Sequence, residues 1–496
     1  MSKSIIIIGA GIAGLSAGCY GQMNGYKTQI FELHDKPGGL CTSWKRKGYT
    51  FDGCIHWLVG SKPGSGMNAI WQELGALRGK EIVNHDEFMR YKGSEGKDFV
   101  LYTNVDQLER HMKDLSPADA QVSTEFCNAI RRVTVLGQMG QVPGLGGKIK
   151  TIFQMIPFML TMARYRKTSV QDFARRLRDP FLRRALSTLW DMPDFPIIGL
   201  MMTLAWMHEH DAGYPIGGSL EFARAIERRY LDLGGEIHYQ SRVEKILTEN
   251  DKAVGIRLTD GTERKADLVI SAADGHATIF DMLEGRYVDD KVRGYYEGLP
   301  IFPPIIQVSL GVARDLSSEP HMVTYDLEEP ITIAGEERRT LGMKHYCYDP
   351  TLAPEGKSMV EVMYPSNHAY WKEIAQDQER YEAEKQQIAI TVMGQLDKRF
   401  PGFTDDVEVV DVATPLTYER YTGNWQGSME GWLITTKTMK MTMGKGMSKT
   451  LPGLENFYMI GQWVEPGGGL PPAATSARGV IGMICKQDGK KFQATP

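Results

Sequence analysis

The segment "SIIIIGAGIAGLSAGCYGQMNGYKTQIFELHDKPGGL", Ser4 to Leu40, constrains the fold more than any other part of the chain. Ile5 to Ile8 is a continuous β-branched run, the composition of a parallel strand buried on both faces. Gly9, Gly11 and Gly14 follow as G-x-G-x-x-G. A helical stretch from Ala13 to about Asn24 is stopped by Gly25, and a second strand, Thr28 to Phe31, ends on Glu32. Each part has a physical task. Gly9 makes the tight turn, Gly11 lets a pyrophosphate approach the backbone, and Gly14 lets helix and strand pack closely. The helix start presents unpaired N–H groups to the phosphates, with Ala13 in its first turn. Glu32 is placed to accept hydrogen bonds from the ribose hydroxyls and to repel a 2'-phosphate. The order of strand, glycines, helix, strand and acid therefore predicts a Rossmann-like dinucleotide site in an α/β chain. Ser4 to Gly21 carries no charge and superficially suggests a leader or an anchor, but its glycines fit the nucleotide loop better.

The remaining bulk properties bound the rest. A chain of 496 residues is too long for one simple core, so two domains are expected. The formal charge of -4 gives no reason to expect nucleic acid as a partner. Six cysteines are scattered without C-x-x-C or zinc-like spacing, which predicts free thiols in a reducing cytoplasm and no metal site.

After Glu32 the chain continues "LHDKPGGLCTSWKRKGYTFDGCIHWL", where Gly38 and Gly39 bring a second piece of backbone toward the same phosphates. An acid followed by Gly-Gly resembles the FAD-dependent amine oxidase and phytoene desaturase superfamily, and the resemblance implies FAD. Many members carry arginine after the pair, whereas this chain has Leu40. No second strand-glycine-helix unit follows. "GQVPGLGGK", Gly140 to Lys148, has the wrong spacing and reads as a loop, so a built-in NADPH site is not expected.

Downstream, "GGSLEFARAIERRYLDLGG" places Leu220, Ala223, Ile226, Tyr230 and Leu233 at helical spacing between glycine pairs. Alternating strands follow, with a turn at Asp260-Gly261. This block resembles the second cofactor-domain segment of the phytoene desaturase-like family. The resemblance implies that Val243 meets the adenine and that the strand ending in "SAAD" brings Ala273 to the cofactor. It implies a discontinuous FAD domain made of 1–85, 212–290 and 430–496, with an interleaved α+β substrate domain made of 86–211 and 291–429. "YDPTLAPEGKSMVEVM", Tyr348 to Met363, matches a further stretch of the same family, so the likeness runs nearly the whole length.

"MIGQWVEPGGGLPPAATSARG", Met459 to Gly479, has the composition of a floppy tail, yet the strand-like "FYMI" leads into it. Glycines at 467–469 permit left-handed backbone facing a ligand, and Pro471 and Pro472 suit the first positions of a helix expected to start near Ala473. In the superfamily such a turn holds the flavin side of FAD. The resemblance thus implies contacts from Gly461, Gln462, Gly468, Gly469 and Leu470. Gln462 stands where relatives often carry Asp. No cysteine stands where a covalent flavin link is expected, which predicts non-covalent FAD.

For the substrate, "KTIFQMIPFMLTMARYRK", Lys150 to Lys167, is uncharged between Lys150 and Arg164 and basic at both flanks. It is too short to cross a bilayer. It reads either as a buried helix kinked at Pro157 or, with 148–167 as a unit, as a monotopic patch or tunnel mouth for a lipid. The chain resembles phytoene desaturases, carotenoid isomerases and retinol saturases, which implies a long apolar unsaturated substrate such as a carotenoid, retinoid or other lipid. The implied reaction is desaturation, saturation or isomerisation of carbon–carbon bonds by hydride transfer at flavin N5. "FDGCIHWLVG" is similar to the retinol saturase branch, making His56 the candidate flavin-side catalytic residue and Trp57 a packing residue. In "MKHYCY" strand alternation is expected to turn half of Lys344, His345 and Tyr346 to the surface. Two other readings share the fold: a flavin amine oxidase, and a non-catalytic prenyl-binding protein like the Rab GDP-dissociation inhibitors. The second has no use for Glu32, Gly38-Gly39 and Gly467 to Gly469.

Overall fold

The structure, a computed structural model, describes residues 2–94, 96–134, 145–188, 192, 194–439 and 446–495, with the side chains at 145–154 and the segment 140–144 of the glycine-rich stretch outside that set. Five parallel strands form the first sheet, in the spatial order Glu236–His238, Lys27–Phe31, Ser4–Ile8, Leu268–Ser271 and Phe457–Met459. The isoleucine run lies at its centre. Ile5 and Ile7 face the helices Ile12–Met23, Gly218–Asp232 and Leu470–Gln487, in a core with Tyr20, Phe222, Ile226 and Ile481. Ile6 and Ile8 face the opposite way, onto Val243, Ile246 and Ile256 of a three-stranded antiparallel layer. A continuous apolar run is what a strand covered on both faces requires, and each fully buried isoleucine contributes about 1.5–3 kcal/mol.

A second sheet has seven strands, ordered Val407–Ala413, Ile305–Val312, Ser358–Pro365, Glu336–His345, Met322–Ile333, Glu87–Lys92 and Asp98–Tyr102. Its neighbours run antiparallel except where Met322–Ile333 meets Glu87–Lys92. A layer of helices, among them Val105–Leu115, Ala120–Val133, Leu145–Tyr165 and Ile197–His208, packs over its Glu87–Tyr102 end around Phe126, Ile130, Phe173 and Leu204.

Three expectations change. The last helix begins at Leu470 rather than near Ala473, because Gly469 (φ 86°) turns the chain directly into it. Residues 145–148, read as loop, belong to the helix that runs to Tyr165. That helix is neither wholly buried nor wholly free. Met162 and Tyr165 are buried, while Ile156, Met159 and Leu160 are 42%, 62% and 64% exposed, so from 156 onward one apolar stripe has no cover. Among the described residues no helix is long and apolar enough to cross a membrane.

Candidate active site

The two sheets meet at a cavity of about 1340 Å3. At one end stand the loops singled out in the sequence. Gly9, Gly11, Ala13, Glu32, Gly38, Gly39, Leu40, Val243, Ala273, Gly461, Gln462, Gly468, Gly469 and Leu470 all line it, as does His56. Gly14 does not. A Cβ on Gly14 would lie 1.9 Å from the Gly9 carbonyl oxygen, so this glycine works by letting helix and loop touch rather than by facing the cavity.

Local geometry explains how these pieces come together. Gly38 N–H donates to the Ala10 carbonyl (2.9 Å), and Gly11 and Gly38 form an isolated bridge, which stitches the two glycine loops side by side. Gly11 caps the helix Ile12–Met23 without any side-chain bond, leaving first-turn N–H groups free for an anion. Its nearest neighbour to an added Cβ is 3.9 Å away, the open approach that a phosphate needs. Glu32 is buried. Its carboxylate accepts from Ala10 N–H (2.6 Å) and His34 N–H (2.9 Å), which sets its orientation at the strand end, while burial pushes its pKa up against those bonds. Gly467, Gly468 and Gly469 all have left-handed φ, 111°, 69° and 86°. A Cβ at Gly468 would lie 2.2 Å from the Glu430 carboxylate, so Glu430 rests directly on the triplet.

Beyond the glycine loops the cavity wall becomes a compact polar cluster. Asp52 ends a strand and is fully buried. It accepts from Ser219 N–H (2.7 Å), Ser219 Oγ (2.5 Å) and Cys54 N–H (3.1 Å), tying the loop that carries His56 to the start of the helix Gly218–Asp232. His56 is thereby aimed into the cavity with a quarter of its side chain exposed there. Its Nε2 lies 3.5 Å from Glu361 Oε1. Glu361 and Lys344 are directly paired across neighbouring strands, and both are buried. Lys344 Nζ donates to Tyr346 Oη (2.7 Å), and Gln307 Nε2 donates to Glu361 Oε2 (3.1 Å). Burial pushes Lys344 down to about 8, opposed by the charges of Glu361 and Asp52. Burial also holds His56 below its usual value, helped by the Lys344 charge, so its imidazole is neutral at pH 7.

Lys344, His345 and Tyr346 are all buried, correcting the expectation that half would face solvent. The strand has protein on one side and the cavity cluster on the other, so alternation distributes these side chains between two interiors. Trp57 packs edge-on against Phe88 (5.1 Å between centroids), the packing role expected of it.

Phe88, Met89, Phe195, Met202, Trp206, Met322, Met363 and Ile434 form the cavity's apolar arm, on whose wall Thr203, Thr324 and Thr340 also stand. Six acids that sequence reasoning did not assign also line the cavity, Asp211, Glu244, Asp274, Asp281, Glu361 and Glu430. Asp274 closes "SAAD" and accepts from Trp425 N–H and Ala277 N–H (2.8 Å each). Burial raises Asp274 and Glu430 to about 7 each. Glu430 is part-exposed and lines the cavity. The one available signal was an acid amid apolar strand residues, as in "SMVEVMY", which marks an acid pointing into an interior. All six cysteines are free, and Cys485 is buried in the last helix.

Comparison with known proteins agrees with this geometry. Residues 12–479 match the family described as flavin containing amine oxidoreductase. The chain is 25% identical over 504 residues to a chloroplastic prolycopene isomerase of Daucus carota, covering 97% of this chain and 78% of that one. It is 26% identical over 512 residues to a neurosporene-forming phytoene desaturase of Rhodobacter capsulatus, covering 97% and 93%. Among solved structures, an oxidoreductase from Methanosarcina mazei superposes with a TM-score of 0.60 at 18% identity, over 96% of this chain and 99% of that one. Putrescine oxidase bound to putrescine gives 0.61 at 13%, over 98% and 99%. These two share the fold. With a match that spans almost its full length, the chain belongs to the flavin-containing amine oxidoreductase family and is a flavin-dependent oxidoreductase.

Proposed function

We propose that this enzyme binds FAD non-covalently and exchanges hydrogen with carbon–carbon bonds of a long apolar unsaturated substrate, of the carotenoid or retinoid kind. The observation that carries this reading is the continuity of one cavity, from the paired glycine loops at Gly11 and Gly38, past His56, Lys344 and Glu361, into the methionine- and aromatic-lined arm. The residues fit the cofactor. Gly9, Gly11, Ala13, Gly38, Gly39 and Leu40 form the pyrophosphate cradle, Glu32 and Val243 hold the ribose and adenine end, and Ala273, Gly461, Gln462, Gly468, Gly469 and Leu470 hold the flavin end. When bound, FAD supplies the hydride acceptor or donor at N5.

The chain's own residues then do the rest. The apolar arm lays an extended hydrocarbon along one track and excludes water. His56, kept neutral and held by the Asp52–Ser219 anchor, takes or gives the proton at the neighbouring carbon. Glu361 and Lys344 keep the local charge balanced around it. The cofactor domain in this reading is assembled from 1–85, 212–290 and 430–496, and the substrate domain from 86–211 and 291–429. The exposed stripe at Ile156, Met159 and Leu160, followed by Arg164, Arg166 and Lys167, rests on an anionic membrane surface from which such a substrate is drawn.

The test is an anaerobic absorbance spectrum with a carotenoid precursor, a retinoid and an unsaturated fatty acid added in turn. Bleaching of oxidised flavin identifies desaturation, and reoxidation of reduced flavin identifies saturation. Product formed only with reduced flavin and no lasting spectral change identifies isomerisation. No response to any polyene, with peroxide released from an amine, refutes the proposal in favour of amine oxidation.

A further inference from the structure

Behind His56 lies a second, small pocket of about 20 Å3, whose walls include His56, Asn84, His85, Glu87, Thr103 and His321. That volume suits one water molecule, which needs roughly 10–15 Å3 and two to four polar partners. Two such partners stand ready. Nε2 of His56 and Nε2 of His85 are both buried; that of His85 has no hydrogen-bond partner among the described residues, and that of His56 has only the long 3.5 Å approach of Glu361 Oε1. A buried nitrogen left unpaired or poorly paired is costly, and two such histidines lining one water-sized pocket are the pattern of a bridging water. The rings are also fixed. His85 stacks on His321 with centroids 3.8 Å apart and planes 13° from parallel, and Tyr348 meets His85 edge-on at 4.5 Å. Position gives the pocket a direction. His56 lines the large cavity as well, whereas Asn84, also on the small pocket's wall, is exposed and Glu87 is 26% exposed.

We propose that this pocket holds an ordered water bridging His56 and His85, and that the three form a proton path between the large cavity and solvent. The path turns over the proton on His56 while substrate fills the cavity. This rests on the reading above, in which hydrogen is exchanged with adjacent carbons. Desaturation breaks two C–H bonds, one as hydride, whose acceptor is the flavin, and one as a proton, which leaves on His56. The proton passes to the water as the water gives one of its own to His85, and His85, which is part-exposed, gives up a ring proton to solvent. Only N–H and O–H bonds exchange in the relay, and no electron moves. Saturation runs the same path inward. Burial, with the Lys344 charge adding to it, keeps both rings neutral at rest: His85 is pushed down to about 4, opposed only by Asp86, while His56 is opposed by Glu361 and Asp52. A neutral imidazole has one N–H and one lone pair, the state a relay needs.

The test is His85→Ala and His85→Gln in the FAD-loaded enzyme with the polyene that changes the wild-type spectrum, with an artificial quinone acceptor to reoxidise flavin, or dithionite to reduce it if the polyene is saturated, in the multiple-turnover assay. Expected is a loss of multiple-turnover rate of about 10-fold or more for His85→Ala, a much smaller change in the single-turnover flavin signal, and recovery of the rate with added imidazole. The glutamine variant should retain more rate than alanine. Equal slowing of both phases, without imidazole recovery in either variant, overturns the path. The water itself is tested separately, in flavin-free wild type, by nitrogen-15 NMR of the histidines. Long-lived water contacts at His56 and His85 are expected, and rapid bulk exchange at both overturns the bridge. If no polyene alters the wild-type spectrum, the functional reading falls, and the NMR result still decides on the water.

Discussion

Gly11 and Gly14 belong to one motif, yet the structure separates their tasks, and alanine at each position should fail in a different way. At Gly14 the added Cβ would lie 1.9 Å from the Gly9 carbonyl oxygen and 3.0 Å from its carbon. Carbon–oxygen contacts settle near 3.3–3.6 Å, so the helix Ile12–Met23 must recede from the sheet by more than about 1 Å. Both clashing atoms belong to the backbone, so no side chain swings aside. Overpacking of this kind costs about 1–3 kcal/mol, with the upper end expected here. With an unfolding entropy of about 2.1 cal/mol/K per residue, a chain of this length shifts by about 1 °C per kcal/mol, so the melting temperature of flavin-free protein should fall by about 3 °C. At Gly11 the nearest atom is 3.9 Å away, and φ is -66°, a conformation alanine adopts freely. Gly11→Ala should therefore leave the flavin-free protein's melting temperature unchanged. On the proposed site, the new methyl projects toward the pyrophosphate's place. Displacing one charge-assisted hydrogen bond, worth about 1.5–3 kcal/mol, weakens FAD binding about 10- to 100-fold. Circular dichroism melting and fluorescence titration with FAD read the two effects. A Gly11→Ala protein destabilised as much as Gly14→Ala, or a Gly14→Ala protein with unchanged melting, refutes the division of labour.

Three further outcomes follow from charges and surfaces. Lys344 titrates near 8 in the native protein against 10.5 when unfolded, so the unfolded chain holds one more proton between those values and stability rises with pH there. Urea unfolding of wild type should gain about 3 kcal/mol across that window relative to Lys344→Met. Glu430 is raised from 4.5 to about 7 by burial, so the native state keeps its proton longer and stability falls as pH rises from 4.5 to 7. Glu430→Gln should flatten that slope in thermal melts across the same range. The double change Met159→Glu and Leu160→Glu should abolish sedimentation with anionic lipid vesicles at unchanged melting temperature, since both side chains are more than 60% exposed.

What could be read from the sequence was local and periodic. The run Ile5 to Ile8, the glycines behind it and the acid at 32 lie within thirty residues, and their geometry follows from sterics and hydrogen bonding in that span alone. The same holds for the turn after Phe457–Met459, where three glycines in succession announce left-handed backbone. What escaped depends on pairings made across the chain. Lys344 and Glu361 are brought side by side as buried neighbours because two strands align at that register. Glu87–Lys92 lies beside Met322–Ile333, more than 200 residues later, and no local pattern encodes that choice. The small pocket escaped for the same reason, since His56, His85 and His321 come from three separate segments.

The spatial order of the five-stranded sheet also bears on how the molecule is made. Its central strand is synthesised first, one neighbour arrives after residue 268, and the edge strand that leads into the Gly467 to Gly469 turn arrives after residue 457. During translation the first nucleotide loop therefore waits through most of the chain for the pieces that enclose it. Loop closures this long are slow, and the half-built sheet exposes the apolar faces of Ile5 to Ile8 in the meantime. Cofactor capture becomes the closing event of biogenesis, so scarcity of the vitamin precursor should show first as aggregated nascent protein, before any loss of specific activity in the molecules that mature.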